Sequence, residues 1–260
     1  MGRSVKWRFI NSGVAGTSHR ATNLPCQDSC FVDVVSTQSA EEVLVGVASD
    51  GAGSAAKAEI SSELVCTALF IKAETWLKAQ TSIKDLTLEI VQDWIREVRT
   101  NLEHKAKEES IPFRDYSSTV LLAIIGDTES VFAQIGDGAI VISDEEQYVV
   151  VFWPENGAYA NMTYFLTDED FEAHLQIKRI STSPLELAIL TDGLQLVALK
   201  YDTKTAYPPF FNPMFRRLRN EPPGMSHNLC DALAIFLDSP ALNERTDDDK
   251  TLLLASRRSG

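Results

Sequence analysis

The chain has 260 residues, of which 44% are hydrophobic, and its 24 basic against 37 acidic residues give a formal net charge of −13 at pH 7. Such an acidic chain repels nucleic acid and anionic lipid headgroups, so we expect no nucleic acid and no membrane among its partners. The length and apolar content suffice for a sizeable core, and no strong linker interrupts the sequence, which favours a single domain over residues 1–260.

The N-terminal segment and the cysteines indicate the compartment. Residues 1–15 lack the continuous apolar stretch of a signal peptide, and no run approaches the ~18 uncharged apolar residues of a membrane span. Cys26 and Cys30 form a C-x3-C pair, but no second Cys/His pair at zinc spacing accompanies them, which favours ordinary packing over a zinc site. We therefore expect reduced thiols and a cytoplasmic protein.

Six short runs rich in valine and isoleucine, each bounded by Gly, Asp, Ser or Pro, predict strands. In chain order they cover residues 31–35, 43–48, 120–125, 131–135, 148–152 and 187–190. The runs at 43–48 and 120–125 are apolar without alternation, which is typical of strands covered on both faces. Helices or a second sheet are therefore expected on either side of these strands.

Three stretches with helical periodicity supply those helices. From residue 57 to about 79 an apolar stripe runs from Ile60 to Ile71. The second helix is predicted to begin at Ser82, because an acidic residue three positions later gives a start similar to a capping box, and to continue to the charged segment 104–109. The third helix is expected over about 226–237.

Two further segments lack a clear period. The proline-punctuated stretch 207–213 is interpreted as an ordered loop, and 153–167 as a surface excursion that is either a lid or substrate loop or a structural connection. Strands, a helix pair, more strands and a late helix predict an α+β layered domain rather than alternating βαβ units.

Four aspartates lie beside the ends of predicted strands. Asp50, Asp137 and Asp192 directly follow one, and Asp248 directly precedes a further predicted strand in the sequence TDDDKTLLLA. Strand ends are rigid, so carboxylates placed there can converge on one point from segments distant in sequence. Ligand sets made only of oxygen favour a hard cation such as Mg²⁺ or Mn²⁺ over zinc. A glycine follows three of the four, which lets the backbone turn sharply away from the carboxylate.

Other interpretations of these residues stay open at the level of sequence. Asp-Gly is typical of tight hairpin turns, above all at Asp137, which has a predicted strand on both sides. The run 247–249 alone is typical of a solvated loop. Residues 51–56 match G-x-G-x-x-A, but the following stretch is helical throughout and offers no second strand for a dinucleotide-binding unit.

Taken in chain order, six short motifs resemble those of the metal-dependent protein phosphatases of type 2C. They are Gln27-Asp28, residues 49–53, 117–119, 135–138 and 190–193, and Asp248 with the three residues after it. The resemblance extends from about Gly13 to Leu254, and the segment 156–169 is similar to the bacterial branch of the family. It implies a four-layer α-β-β-α sandwich in which two antiparallel sheets pack face to face with helices outside.

The resemblance also implies a function and its cofactors. It implies hydrolysis of phosphoserine and phosphothreonine in proteins, with two Mn²⁺ or Mg²⁺ ions that activate water. Asp50 would bridge the ions and the Gly51 carbonyl would bind one of them. Asp192 and Asp248 would complete the coordination of the other ion. Asp137 would hold a weaker third ion. The alternative is a catalytically weak or inactive metal-binding or phosphoprotein-binding module of the same fold.

The remaining implied roles concern the surroundings of the ions. Asp28 would anchor waters bound to the metal, beside Gln27, where the family usually has glutamate. The arginine that grips phosphate has no counterpart at the usual spacing, so the role is assigned to Arg20 or His19. Ala52 stands where many eukaryotic members have a histidine. Phosphorylated proteins and a cognate serine/threonine kinase are the expected partners of a monomer.

Overall fold

The computed structural model describes residues 5–144, 147–154 and 163–259, and two β-sheets form its centre. One sheet has six strands, in the spatial order β12-β1-β13-β9-β6-β7. These strands are β1 (Val5–Val14), β6 (Ala139–Ser143), β7 (Tyr148–Val150), β9 (Glu186–Leu190), β12 (Gly224–Met225) and β13 (Lys250–Ser259). Their pairings are antiparallel except for the short β12, which runs parallel to β1.

The second sheet has five strands in the order β2-β3-β4-β5-β8, all paired antiparallel. They are β2 (Asp28–Ser36), β3 (Glu42–Asp50), β4 (Val120–Ile125), β5 (Ser130–Ile135) and β8 (Gln176–Ile180). Two strands of two residues each, β10 (Leu199–Lys200) and β11 (Thr205–Ala206), form a separate ribbon.

Helices cover the outer faces of both sheets. They are α1 (Thr17–Ala21), α2 (Ala58–Ala79), α3 (Leu88–Glu109), α4 (Phe171–His174), α5 (Gln195–Ala198), α6 (Pro208–Leu218), α7 (His227–Leu237) and α8 (Pro240–Asn243). The helices α2 and α3 pack on the five-stranded sheet, whereas α6 and α7 pack on the six-stranded one. In the described ranges no helix has the length and apolar character to cross a membrane.

The predicted α+β sandwich of four layers is confirmed, and the strands show how the sequence specifies it. In β13, Leu252 and Leu254 contact the helix layer, while Leu253 between them faces the other sheet. The same division holds in β3, where Val45 faces α2 and Leu44 faces the six-stranded sheet. Successive side chains of a strand point to opposite faces, so a strand between two apolar layers needs a continuous apolar run.

Several local predictions are wrong, each for a physical reason. Ser82 begins only a 3₁₀ turn, and α3 starts at Leu88, where the hydroxyl of Thr87 accepts a hydrogen bond from the amide of Ile90 at 3.3 Å. The buried face of α2 differs from the predicted apolar stripe: Ile71, which belongs to that stripe, is 51% exposed. The segment predicted as an ordered loop at 207–213 begins α6, since proline is well suited to the first turn of a helix.

The hairpin interpretation of the Asp-Gly pairs is also wrong. The connection that contains Asp137 leaves the five-stranded sheet after β5 and enters the six-stranded sheet at β6, so its flanking strands do not pair with each other. Asp50 ends β3 ahead of α2, and Asp192 is the first residue of a 3₁₀ helix that spans Asp192–Leu194. The dinucleotide-binding alternative fails as well, because β3 lies between two antiparallel neighbours.

Candidate metal centre

An acidic cleft of ≈ 1160 Å³ lies where strands of both sheets end. Six aspartates line it: Asp50, Asp137, Asp168, Asp170, Asp192 and Asp248. His19 also lines the cleft, and no lysine or arginine does so among the described residues. The structure therefore brings together all four aspartates that the sequence places beside strand ends.

Strand register explains how Asp28 and Asp50 come to lie side by side. The two residues are direct cross-strand partners at the ends of β2 and β3. The backbone of Asp50 is fixed by Thr119, whose hydroxyl accepts a hydrogen bond from the Asp50 amide at 2.9 Å and whose own amide donates to the Asp50 carbonyl at 2.8 Å. The motif at 117–119 thus holds the aspartate in place rather than contributing ligands itself.

Gly51 occupies a position where no larger residue fits. Its amide donates to the carbonyl of Gln27 at 3.1 Å, and a Cβ atom built on it would lie 2.4 Å from the carbonyl oxygen of Ala58. Such a contact is far inside van der Waals distance, so the backbone has to move if the glycine is replaced. The glycine allows α2 to start immediately beside the strand end that carries Asp50.

Asp192 and Asp248 belong to the other sheet, at the end of β9 and just before β13. Gly193 permits their approach, because a Cβ atom there would lie 1.9 Å from the carbonyl oxygen of Asp249 and 3.5 Å from the Cβ of Asp248. The carboxyl groups of Asp192 and Asp50 lie close enough to interact, since the charge of Asp192 contributes to the raised pKa of Asp50. The five-stranded and six-stranded sheets each contribute carboxyl groups to one site.

Burial raises the pKa of three carboxyl groups of the cleft, those of Asp50, Asp137 and Asp192. Burial, followed by the charges of Asp28 and Asp192, raises the pKa of Asp50 well above its usual value. Burial, with the neighbouring charges of Asp137 and Asp248, raises the pKa of Asp192 to about 7. Together these shifts mean that negative charge accumulates here only at a high free-energy cost unless a cation is present.

The residues fit a divalent metal. Asp28 is partly exposed as a residue, but its carboxyl group is enclosed, and this burial raises its pKa to about 8. Its Oδ2 accepts a hydrogen bond from the Thr191 hydroxyl at 2.7 Å, while its Oδ1 is buried without a hydrogen-bond partner. The side-chain oxygen of Gln27 is likewise buried and without a partner. Orphaned oxygens beside crowded carboxyl groups are the donor set that Mg²⁺ and Mn²⁺ prefer.

Asp249 is a central residue of the site that the sequence interpretation does not assign. It is 3% exposed, and its Oδ1 accepts hydrogen bonds from the amide of Gly16 at 2.7 Å and from His19 Nδ1 at 2.8 Å. Its Oδ2 accepts from the amide of Gln27 at 2.5 Å. Within a run of three aspartates, nothing in the sequence distinguishes this buried one from its solvated neighbours.

His19 and Arg20 occupy different surroundings, although they are adjacent in α1. His19 lines the cleft, and its Nε2 lies 3.9 Å from the position of a Cβ atom built on Gly53. Arg20 lies outside the cleft, with its guanidinium 2.6 Å from the carboxylate of Asp238. The ligand atoms of His19, Asp248 and Asp249 all lie within 4.8 Å of one another.

Residues 163–165 form part of the wall of the cleft. Phe165 packs against Ala52, which explains why a small apolar residue occupies that position. The amide of Phe165 donates to the carboxylate of Asp168 at 2.8 Å. Part of the predicted surface excursion at 153–167 lies outside the described residues, namely 155–162, and the part from Thr163 onward lines the cleft.

Polar side chains behind Asp137 hold its backbone. The amide nitrogen of the Gln195 side chain donates to the Asp137 carbonyl, and the Tyr201 hydroxyl donates to the Gln195 side-chain oxygen. Tyr201 in turn contacts the edge of Trp153 at a ring separation of 5.3 Å. These contacts fix the connection between the two sheets, so the Asp137 carboxyl is held at the cleft.

Comparison with known proteins places these features in a family. A family model described as protein phosphatase 2C matches residues 15–234. Serine/threonine-protein phosphatase 3 of Escherichia coli (strain K12) is 32% identical to the chain over 252 residues, which cover 96% of the chain and 98% of that protein.

Solved structures share the fold at lower sequence identity. A bacterial serine phosphatase superposes with a TM-score of 0.63 at 18% identity, covering 97% of this chain and 98% of its own. The catalytic domain of the serine threonine protein phosphatase PstP in complex with two manganese ions gives a TM-score of 0.62 at 14% identity, and the match covers 98% of this chain and 100% of that domain. The phosphatase Stp1 from Staphylococcus aureus gives a TM-score of 0.60 at 19% identity, and the match covers 98% of this chain and 96% of that one.

Proposed function

The chain belongs to the protein phosphatase 2C family, and on that basis we propose that it is a metal-dependent phosphatase that hydrolyses phosphoserine and phosphothreonine in proteins. The observation that carries the proposal is the convergence of Asp50, Asp137, Asp192 and Asp248 on one cleft. The raised pKa values of Asp50 and Asp192 support it, because carboxyl groups packed so closely need cations to ionise together.

The residues of the cleft have distinct roles in metal binding. Asp50 would bridge two ions, with the Gly51 carbonyl on one of them and with Asp192 and Asp248 on the other. Asp137 would hold a third, weaker ion, and we take the metal to be Mn²⁺ or Mg²⁺. When bound, such a pair of ions lowers the pKa of a water that attacks phosphorus and stabilises charge on the phosphoryl oxygens.

Side chains around the carboxylates position the substrate and exclude water. His19 is the only histidine, lysine or arginine in the described lining of the cleft, and its Nε2 is available because Nδ1 bonds to Asp249. We assign to it the contact with a phosphoryl oxygen, which Nε2 can make when it carries a proton. Arg20 has no part in this assignment, because it pairs with Asp238 outside the cleft. Asp28 and Gln27 orient ligands from beneath through their unpartnered oxygens.

A non-catalytic metal-binding or phosphoprotein-binding module is the alternative function. It would explain the neutral Gln27 and the small Ala52, but it gives no reason to keep several closely spaced carboxyl groups that repel one another in one cleft. Such a set is costly to the folded protein, and catalysis with two metals is the activity that requires it. Nothing in the named relatives favours the alternative.

The wider setting follows from the same proposal. Phosphorylated proteins are the substrates, and a cognate serine/threonine kinase supplies them. We propose that the protein acts as a monomer in the cytoplasm, as a single phosphatase domain over residues 1–260.

The test is hydrolysis of p-nitrophenyl phosphate and of a phosphoserine peptide by the purified protein, with Mn²⁺, with Mg²⁺ and with a chelator. We expect activity only with metal, and we expect Asp50→Asn to abolish it. Asp231→Asn is the matched control, because Asp231 is exposed on α7 away from the cleft. Metal binding without hydrolysis of either substrate would favour the non-catalytic alternative.

A further inference from the structure

A second opening adjoins the acidic cleft across α5. It has a volume of ≈ 480 Å³, and we call it the side opening, lined among others by Leu196, Lys200, Tyr207, Phe210 and Arg245. Leu196 is 71% exposed and lines both the side opening and the cleft, so it forms the ridge between them. A substrate peptide that leaves the cleft over this ridge would enter the side opening directly.

The side opening has the opposite charge to the cleft. Lys200 and Arg245 line it, and no aspartate or glutamate lies among its described lining residues. Neither cation forms an ion pair within the described ranges, whereas Arg20 and Arg219 do have acidic partners. Unpaired cations are notable in a chain with 37 acidic residues against 24 basic ones.

The walls of the side opening suit a peptide. Lys200 Nζ lies 5.1 Å from the centre of the Tyr207 ring, which holds the ammonium group over an aromatic face and leaves its remaining donors free. Phe210 lies in the same wall and is partly buried against the core. Aromatic walls with a few placed charges are typical of sites that bind an extended segment and select one side chain.

We propose that the side opening binds an acidic side chain of the phosphorylated substrate, on the stretch of peptide that passes over Leu196. The carboxylate lies between Lys200 and Arg245, while the phosphoserine lies in the cleft. The inference rests on the proposed function and names the class of substrate that the same site prefers. Because this contact is equal in the bound and transition states, it lowers KM and leaves kcat nearly unchanged.

The experiment compares phosphoserine peptides of equal length that differ only in one residue, Glu or Gln, placed from two to six positions on either side of the phosphoserine. Rates are measured with Mn²⁺ at low ionic strength for the wild type, for the double variant Lys200→Gln/Arg245→Gln and for Arg216→Gln. Arg216 is the matched control, because it is exposed on α6 and lines neither the cleft nor the side opening.

We expect the wild type to prefer the Glu peptide by five- to tenfold in kcat/KM, at positions on one side of the phosphoserine only. The double variant should lose the preference and Arg216→Gln should keep it. Equal rates on Glu and Gln peptides, faster hydrolysis of the Gln peptides, or a preference for Glu that survives in the double variant would overturn the inference. Absence of hydrolysis even of p-nitrophenyl phosphate would instead overturn the proposed function, so the two failures are distinguishable.

Discussion

His19 Nδ1 lies 2.8 Å from Asp249 Oδ1, and this contact fixes the imidazole ring at the edge of the acidic cleft. The same carboxylate also accepts hydrogen bonds from the backbone amides of Gly16 and Gln27. The carboxylate therefore joins the segment before α1, the strand end beside Asp28 and the start of β13. The second ring nitrogen of His19 is left without this partner, and the side chain lines the cleft.

We expect Asp249→Asn to raise KM for phosphopeptide and lower kcat/KM by about tenfold or more, because the ring loses its charged partner and its orientation. His19→Gln should cause a similar loss. If Asp249 acts through His19, the two losses will not add in the double variant. Steady-state kinetics on all four proteins measure the coupling.

A purely structural role for Asp249 would give a different result. The amides of Gly16 and Gln27 would lose their acceptor whether or not histidine is present, so the two losses would then add. Melting temperatures of the variants, measured in parallel, report how much of each loss is due to destabilisation.

Asp50, Asp192 and Asp248 should behave as one unit, since each supplies charge that the others need to hold the ions. Any single change to Asn should reduce hydrolysis by on the order of 100-fold or more at saturating Mn²⁺. Without metal, the Asp192→Asn protein should be at least as stable as the wild type, because one of the repelling carboxyl groups is gone. Wild-type turnover in Asp192→Asn would contradict the metal assignment.

Gln27→Glu should lower the Mn²⁺ concentration needed for half-maximal activity. The Gln27 side chain is buried with its oxygen unpartnered, so an added carboxylate there is stabilised chiefly by the cation. The same change should lower the melting temperature of the metal-free protein. Gln38→Glu, at an exposed loop position, controls for the added charge. An unchanged or higher Mn²⁺ requirement would show that residue 27 does not act on the ions.

Asp137→Asn separates a metal ligand from a backbone role. The residue does not form a hairpin, and its carbonyl rather than its carboxyl is held by Gln195. If the carboxylate holds a third ion, the variant should lose about tenfold in kcat, or ~1.4 kcal/mol of barrier, while calorimetry still finds the other two ions. A near-normal kcat of the Asp137→Asn variant would show that the carboxylate is not part of the metal site. Loss of all metal binding would show that Asp137 helps to hold the two main ions rather than a third one.

Stability of the metal-free protein should fall as the pH rises from about 4 to about 8. Burial raises the pKa of Asp28 to about 8 and that of Asp192 to about 7, against 3.8 in the unfolded chain. Between these values the folded state holds more protons than the unfolded state, so raising the pH favours unfolding. Melting temperatures measured in chelator should therefore decrease over this pH range. The increase in melting temperature caused by Mn²⁺ should be larger at pH 8 than at pH 6.

The variant Asp28→Asn should show a weaker dependence of melting temperature on pH than the wild type. A melting temperature of the wild type that does not change with pH would contradict the raised pKa values.

Much of the layered fold could be predicted from the sequence, because the strands of the two inner layers are apolar on both faces. Strand β1 is not predicted, because charged residues interrupt its apolar run, although Trp7 and Phe9 alternate with Lys6 and Arg8 at the period of a strand. Helix α6 is not predicted either, because Pro208 and Pro209 at its start are typical of loops as well as of helix N-termini.

For the site, the sequence identified the aspartates that follow strands, because an acidic residue before glycine is distinctive at the end of an apolar run. It could not identify Asp249, whose importance depends on amides contributed by residues more than 200 positions away. Nor could it separate His19 from Arg20, which are neighbours in the chain. Only the direction of each side chain, set by the packing of α1, places one in the cleft and the other on Asp238.

The division of the carboxylates between two sheets would make an ion bound as proposed a cross-link within the sandwich. Asp28 begins and Asp50 ends a strand of one sheet, whereas Asp192 and Asp248 adjoin strands of the other. The affinity for metal and the packing of the two sheets would then be linked, and each would strengthen the other by the same free energy. A cavity made between the layers, as by Leu253→Ala, should therefore weaken metal binding without touching a ligand. Conversely, metal should slow amide hydrogen exchange in both sheets together, because the two sheets would then open as one unit instead of separately.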